Sequence, residues 1–543
     1  VKYYGGDEVV YCSTGDSTIS EGYYYEAVNG ANREVLPVIF VIQNNKYGIS
    51  VPVKDQTANA VVSDNFLGMK NMLIVQCDGR NPMDSYRALE EARKYVLAGK
   101  GPAMVHADCD RIGSHSNSDN HELYRTREDI DAMVARDPLP RMRASLIAAG
   151  IATDEQLTKI EEENKKAIFA AADAVEPLPD PDGASYADFV LPPAIVDYSD
   201  TSETSWTPAS DAPVLTFREG INTALIEEFR RNENTFLFGQ DVASVKKQGI
   251  FNVCKGLLDE FGPKRVFNAP IAEDFIVGTA NGMCRYRDDI RVVVEGAEFA
   301  DYFWPAMEQL VECSHDYWRT KGQFSANVVI RLASGGYIQG GLYHSQNIEA
   351  TLATLPGIRV VMPCFADDAV GLMRTAIRTR GVTMYLEPKF LYNYRPTSAP
   401  LSPDNVVVPF GKARIRREGT DVTVVTFGTT VHWSLQAAET LAAEGISVEV
   451  IDLRSIIPWD RELVLERVRR TGRCVVAHED KLLGGFGGEI ASTIGEELFR
   501  YLDAPVRRIG SKNTPVGFAK TLEQAILVNP TDIANAVREV ARF

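Results

Sequence analysis

The stretch "CSTGDSTISEGYYYEAVNGANREVLPVIFVIQNN", Cys12–Asn45, decides how this chain is read. An apolar run, Val9–Tyr11, leads into a bare carboxylate at Asp16, and a helix-like segment, Ser20–Arg33, follows. A second apolar run, Val38–Ile42, ends in the pair Asn44 and Asn45. Strand, polar exit, helix and strand in that order predict a parallel sheet, whose ligands gather at the carboxyl ends of the strands. Asp16 and Asn45 both fall at that edge. Their hard oxygens suit Mg²⁺, which completes its shell with phosphate oxygens and water. Gly15, Ser17 and Thr18 are small enough for backbone N–H groups to approach a phosphate. Either residue alone reads as an ordinary turn or cap residue. The pair, one after each strand, points to a metal–diphosphate site.

Working outward, 543 residues are too many for one core, so two to four domains are expected. The net charge of −17 argues against a nucleic-acid partner and against an anionic membrane surface. No apolar run approaches the roughly 18 residues of a membrane span. The eight cysteines are scattered, without a C-x-x-C pair, mostly beside apolar runs. They read as buried free thiols in a reducing compartment, and the expected location is cytoplasmic. The chain opens at Val1 almost directly on a strand, which reads as an interior cut.

Short Val- and Ile-rich runs alternate with helices through three α/β units, each with a parallel sheet covered on both faces. In the first, residues 1–175, the buried strands are expected at Glu8–Tyr11, Pro37–Ile42, Met72–Val75 and Ala103–Ala107. Its helix Met83–Ala98 sets Tyr86, Leu89, Tyr95 and Val96 on one face. Residues 176–213 are rich in Pro, Ser, Asp and Thr and read as a surface linker. The second unit spans 214–400 and the third 409–543.

Several motifs in series resemble one family. "GDSTISEG…PVIFVIQNNKYGISVP" looks like the diphosphate-binding signature of thiamine diphosphate enzymes, and "RIGSHSNSDNHELYRTRED" extends the match. "FNAPIAEDFIVGTANGM", "EFADYFWPAMEQ", "GGLYHSQNIEA", "EPKFLY", "EVIDLRSIIPWD" and "GGFGGEIASTI" follow in order. Together they resemble the α and β parts, fused, of the decarboxylase component of 2-oxo acid dehydrogenase complexes. The likeness covers nearly all of Val9–Val537 outside the linker. "LYHSQ", "EPKFLY" and "RIGSHS" lean toward the branched-chain member. The implied fold is α/β: two parallel-sheet cofactor domains and a transketolase-like C-terminal domain.

The resemblance implies oxidative decarboxylation of a 2-oxo acid, with the acyl group passed to a lipoyl-bearing acyltransferase component. Thiamine diphosphate would supply the difficult chemistry. By resemblance Asp16, Asn45 and the Tyr47 carbonyl hold Mg²⁺, and Gly15 and Ser17 border the diphosphate. Ser17 stands where the signature has Gly. Glu273 in "PIAEDF" would activate the cofactor's aminopyrimidine. From the residues alone it reads first as a carboxylate favoured at a helix N-terminus. His344 in "LYHSQ" and His115 in "SHSNSD" are implied in proton transfer and near the lipoyl entrance. Phe299, Tyr302 and Phe303 would line the aminopyrimidine pocket, or form a core helix face. Gln240 stands where the family often has Glu. Trp304, Trp318 and Trp459 read as packing residues. A homodimer is expected, since two such units must clamp one cofactor.

Other readings stay open on this sequence. Pyruvate or acetoin dehydrogenase components share the pattern. A transketolase or deoxyxylulose-phosphate synthase shares the order of units. A non-catalytic scaffold on the acyltransferase core is the reading from another class.

Overall fold

The computed structural model describes residues 1–193, 206–244, 248–249 and 251–543. The chain forms two compact units, Val1–Tyr186 and Ala187–Phe543.

The first unit is built on a four-stranded parallel sheet. Its strands run in the order Val10–Gly15, Val38–Asn44, Ala103–Asp108 and Leu73–Asp78. Register pairs Gly15 with Gln43, and Asn44 with Asp108, so the polar strand exits form one row. A 3₁₀ turn, Thr18–Ser20, precedes the helix Gly22–Glu34. One layer of the core gathers Ile19, Val28, Phe40, Ile42 and Phe66, and the opposite layer Val41, Ala88, Ala92 and Val105.

Two expectations need correction here. The first strand is not buried: it forms the sheet edge, with Val10 49% and Tyr11 57% exposed, because it has a neighbour on one side only. In the helix Pro82–Leu97 the expected Val96 is buried and Leu89 and Tyr95 pack beside it, but Tyr86 is 68% exposed and the rest of the buried stripe is Ala88 and Ala92. The small alanines of that stripe pack directly on the sheet.

Helix Asp154–Val175 opens on a capping box between Thr153 and Gln156. Arg143, on the helix Pro138–Ala148, reaches across to Asp154, Thr158 and Glu161.

The second unit carries two large sheets and a two-stranded pairing of Val214–Leu215 with Ala399–Pro400. The larger runs in the order Ser455–Ile457, Ile358–Val361, Val382–Pro388, Val328–Ser334, Arg291–Ala297, Thr235–Gly239 and Val266–Asn268. All pairs are parallel except that of Ser455–Ile457 with Ile358–Val361. That edge strand comes from the third stretch of the sequence, so the final segment completes the middle sheet. The smaller sheet runs Arg414–Arg417, Val448–Asp452, Val422–Thr426, Cys474–Lys481 and Arg507–Ser511, with only the first antiparallel. A buried ionic cluster ties the helix Ala366–Arg378 to this sheet: Asp368 takes Arg454 Nη1 at 2.8 Å and Arg416, while Arg416 also binds Asp452.

The segment 176–213 includes a short 3₁₀ turn, Gly183–Ala187, and part of it, 194–205, lies outside the described residues. Pro192 is tied down, its carbonyl accepting from Arg359 Nη2 at 2.7 Å. Trp304 and Trp318 are about half exposed rather than packed in the core. Six of the eight cysteines are buried and all are free, but Cys12, on the edge strand, is exposed. No described helix is long and apolar enough to cross a membrane.

Candidate active site

The first group of candidate residues lies at the strand exits of the first unit. Asp16 is buried, and its Oδ1 accepts the backbone N–H of Asn45 at 3.2 Å. Asn45 Oδ1 in turn accepts the backbone N–H of Tyr47 at 3.2 Å. Gly15 and Ser17 flank Asp16, and Gly48 packs so closely on the Ser17 side chain that a Cβ there would strike its Oγ. Ser17 is therefore accommodated by a glycine on the facing loop. Burial pushes the Asp16 carboxyl up, opposed by the N–H groups of Asp16 and Asn45 and by the charges of Lys46 and Arg111.

Asp16 Oδ2, Ser17 Oγ, and the Nε and Nη1 of Arg111 are buried with no hydrogen-bond partner. Such atoms are costly to leave unpaired. An acceptor and cationic donors orphaned together fit a cation bound to an anion. No group of three or more His, Cys, Asp or Glu side chains among the described residues is arranged to hold a metal. A cation beside Asp16 would therefore draw its remaining ligands from amide, backbone and phosphate oxygens, as Mg²⁺ does.

The loop carrying His115 is exposed but ordered by its own contacts. Asp119 accepts from the His115 backbone N–H at 2.8 Å and from the Tyr124 hydroxyl at 2.7 Å. Arg111 Nη2 meets Tyr124 Oη at 2.6 Å, and Arg125 Nη1 donates to the Arg111 carbonyl at 2.7 Å. The Arg125 guanidinium also lies 4.5 Å over the Tyr47 ring. Apart from Tyr47, all five residues stand in the quoted "RIGSHSNSDNHELYRTRED" stretch. Their types were visible there, but their pairing was not.

The second group lies in the second unit. Glu273 opens the helix Glu273–Tyr286 and is buried. The N-terminal position and the inward placement hold together. Gln240, just past the strand Thr235–Gly239, donates Nε2–H to Glu273 Oε1 at 2.6 Å. The neutral amide takes one carboxylate oxygen and leaves the other. Deeper in the sheet Arg331 bridges Glu295 at 2.8 Å and Glu387 at 2.7 Å, and burial pushes the Glu295 carboxyl up to about 7.

The third group surrounds His344. Its ring meets the Phe299 ring edge-on at 4.4 Å and that of Tyr302 at 5.6 Å. Lys389 Nζ lies 5.3 Å from the other partner, Phe299, and burial lowers its ammonium to about 8. Phe303 belongs to the core instead. Two devices fix the loop. Asp301 Oδ1 accepts the N–H groups of Ser345 and Gln346 at 3.1 and 3.0 Å. On the other side Tyr337 Oη donates to the Val528 carbonyl at 2.7 Å, Gln339 N–H to Glu523 at 2.9 Å, and Gly336 N–H to Glu479. The C-terminal segment thus buttresses the His344 loop.

Family models match three successive segments of the chain. Residues 1–182 match the family model described as the dehydrogenase E1 component. Residues 214–395 match the transketolase pyrimidine binding domain, and 411–533 the transketolase C-terminal domain. The chain is 38% identical over 332 residues to the 2-oxoisovalerate dehydrogenase subunit beta of Bacillus subtilis (strain 168), spanning 61% of this chain and 99% of that subunit. The chain belongs to the E1 family of thiamine diphosphate-dependent 2-oxo acid dehydrogenases. As an E1 component it is an oxidoreductase that acts on 2-oxo acids by decarboxylation. The pyruvate dehydrogenase E1 subunit beta of Rickettsia bellii (strain RML369-C) is also 38% identical, over 327 residues, 60% of this chain and 98% of that subunit. A solved structure titled split gene transketolase, inactive beta4 tetramer, aligns with 60% of this E1 chain and 99% of its own, at 24% identity and a TM-score of 0.47. The E1 dehydrogenase segment and the β-subunit-like segment stand in one chain.

Proposed function

We propose that this E1 chain decarboxylates a branched-chain 2-oxo acid of the 3-methyl-2-oxobutanoate type and transfers the acyl group to a lipoyl-bearing acyltransferase component. The observation that carries the reading is the buried Glu273, held through one oxygen by Gln240 at the head of its helix. The branched substrate is supported by the 2-oxoisovalerate relative, which the chain matches over 99% of that subunit. Pyruvate is the second reading, since a pyruvate-linked subunit is equally similar. A cytoplasmic homodimer completes the proposal.

Thiamine diphosphate supplies the nucleophilic carbon and the electron sink when bound. Asp16, Asn45 and the Tyr47 carbonyl would hold Mg²⁺, with Gly15 and Ser17 against the diphosphate. Arg111 offers its unpaired N–H groups to the same anion. Glu273 Oε2 would hold the proton exchanged with the aminopyrimidine, because Oε1 is already taken by the Gln240 amide. Phe299 and Tyr302 wall the ring and orient His344, whose imidazole would carry protons to or from the substrate or lipoyl sulfur. His115, exposed on an ordered loop, suits contact with an incoming lipoyl arm.

Decarboxylation with an artificial electron acceptor tests this, with thiamine diphosphate and Mg²⁺ present. Substrates are 3-methyl-2-oxobutanoate, 4-methyl-2-oxopentanoate and pyruvate, with Glu273→Ala alongside. Turnover of the branched acids that collapses in the variant supports the proposal. Preference for pyruvate replaces the substrate and keeps the mechanism. Binding of the cofactor without turnover of any of the three leaves the scaffold reading in its place.

A further inference from the structure

The two asparagines that end the strand Val38–Asn44 face different partners. Asn45 meets Asp16 through its backbone N–H, and its side-chain Oδ1 accepts the Tyr47 N–H. Asn44 is fully buried and turns the other way, to His106 on the neighbouring strand Ala103–Asp108. His106 is itself buried and carries no sequence pattern that marks it for chemistry.

Hydrogen bonds orient both side chains in this contact, with Asp108 Oδ1 a further 3.6 Å from His106 Nε2. Asn44 Oδ1 accepts the backbone N–H of Lys46 at 3.1 Å, so its Nδ2 is the group facing His106 Nε2 at 2.9 Å. An amide nitrogen only donates, so Nε2 must accept, and the ring proton sits on Nδ1. From there it is shared with Ser63 Oγ at 2.9 Å. The same bond to Lys46 holds that residue at a φ of 71°, in the left-handed region that non-glycine residues avoid. That turn sends the chain from Asn45 into Tyr47. Asn44 Nδ2 has one other neighbour, Asp108 Oδ1 at 3.4 Å, which is engaged by Lys46 Nζ.

We propose that His106 is a positioning residue for the cation site: it holds the Asn44 amide in the one orientation that shapes the Asn45–Tyr47 turn beside Asp16. This rests on the reading of Asp16, Asn45 and Tyr47 as cation ligands. Groups behind metal ligands typically set affinity by about 10–100-fold.

The test measures Mn²⁺ binding to the full chain, with thiamine diphosphate present, by the loss of the free-ion paramagnetic resonance signal. His106→Leu and Asn44→Ala are expected to weaken Mn²⁺ binding by about 10-fold or more. His106→Gln, which can offer a side-chain oxygen to Asn44 Nδ2, is expected to restore most of it and serves if the leucine variant does not fold. Ser63→Ala removes only the far contact of the ring. It is expected to lower the thermal midpoint while leaving Mn²⁺ binding intact. A role confined to packing would make affinity follow the midpoint through all four variants, and that result overturns the proposal. So does a folded His106→Leu with wild-type Mn²⁺ affinity while Asp16→Ala binds none. If the wild type and Asp16→Ala bind Mn²⁺ equally, the cation site itself falls, and the inference with it.

Discussion

Gln240 Nε2 lies 2.6 Å from Glu273 Oε1, and both side chains are buried. The pair allows binding and proton transfer to be separated by substitution. In Glu273→Gln the side-chain carbonyl still accepts from Gln240, so the fold is retained while the proton carrier is lost. Turnover is expected to fall by about 10²–10⁴-fold, the usual worth of a positioned acid or base. Gln240→Leu leaves a buried carboxylate oxygen unpaired, at a cost of about 1–3 kcal/mol. Steady-state rates and urea unfolding of both variants check the two statements. A Glu273→Gln enzyme with undiminished rates would remove Glu273 from the mechanism.

Asp16 carries the second prediction. Ligands that bind only the folded chain stabilise it, by about 2.7 kcal/mol at a hundred times Kd. Thiamine diphosphate with Mg²⁺ is expected to raise the melting temperature of the wild type, and chelation by EDTA to reverse the gain. Asp16→Ala is expected to show no gain at any concentration tested. Scanning calorimetry with and without the two ligands reads this directly.

The cluster of Asp368, Arg416, Arg454 and Asp452 is structural. Arg454 and Asp368 are fully buried, and their ion pair is 2.8 Å long. Asp368→Ala strands two guanidinium groups away from water, and breaking a buried pair from one side costs about 3–5 kcal/mol. Asp367 pairs at 2.7 Å with Arg414, which is 42% exposed, and Asp367→Ala is expected to cost under about 1 kcal/mol. Equilibrium unfolding in urea distinguishes them, and equal losses would contradict the assignment of the cluster as the tie between helix and sheet.

His432 makes stability fall in acid. Its ring is buried against Phe365, and Nε2–H donates to the Cys364 carbonyl at 2.9 Å. Burial, aided by the Arg416 charge, lowers its pKa from 6.5 to about 4 despite that bond. The unfolded chain therefore binds the proton first as pH drops. Stability is full above pH 6.5, declines between 6.5 and about 4, and levels off below. The loss is on the order of 3 kcal/mol across that window. His432→Gln does not titrate, and its unfolding free energy is expected to show a shallower pH slope there. An unchanged slope would place the acid sensitivity elsewhere.

Much of the fold was legible because parallel strands announce themselves. The strands expected at Pro37–Ile42 and Ala103–Ala107 are mostly apolar on both faces, as a sheet covered by helices requires, and both form within two residues of those ends. The edge position of Val10–Gly15 was not legible, since an edge strand and a central strand differ in neighbours rather than in composition. The strand Ser455–Ile457 was missed for a related reason. Three residues carry no period, and its partner, Val360, lies far back in the chain.

The site divides along the same line. The groups chemically able to act were legible in the residues alone: an acid at Asp16, amides at Asn44 and Asn45, a carboxyl at Glu273 and an imidazole at His344. Those are covalent properties of the residues and travel with them. Folding alone settled which Glu273 oxygen takes the Gln240 amide, whose backbone N–H meets Asp16, and that Asn44 meets His106 and Tyr337 meets Val528. Hydrogen bonds between side chains distant in sequence depend on distance and direction at the scale of tenths of an ångström, and the packing of the whole unit sets both.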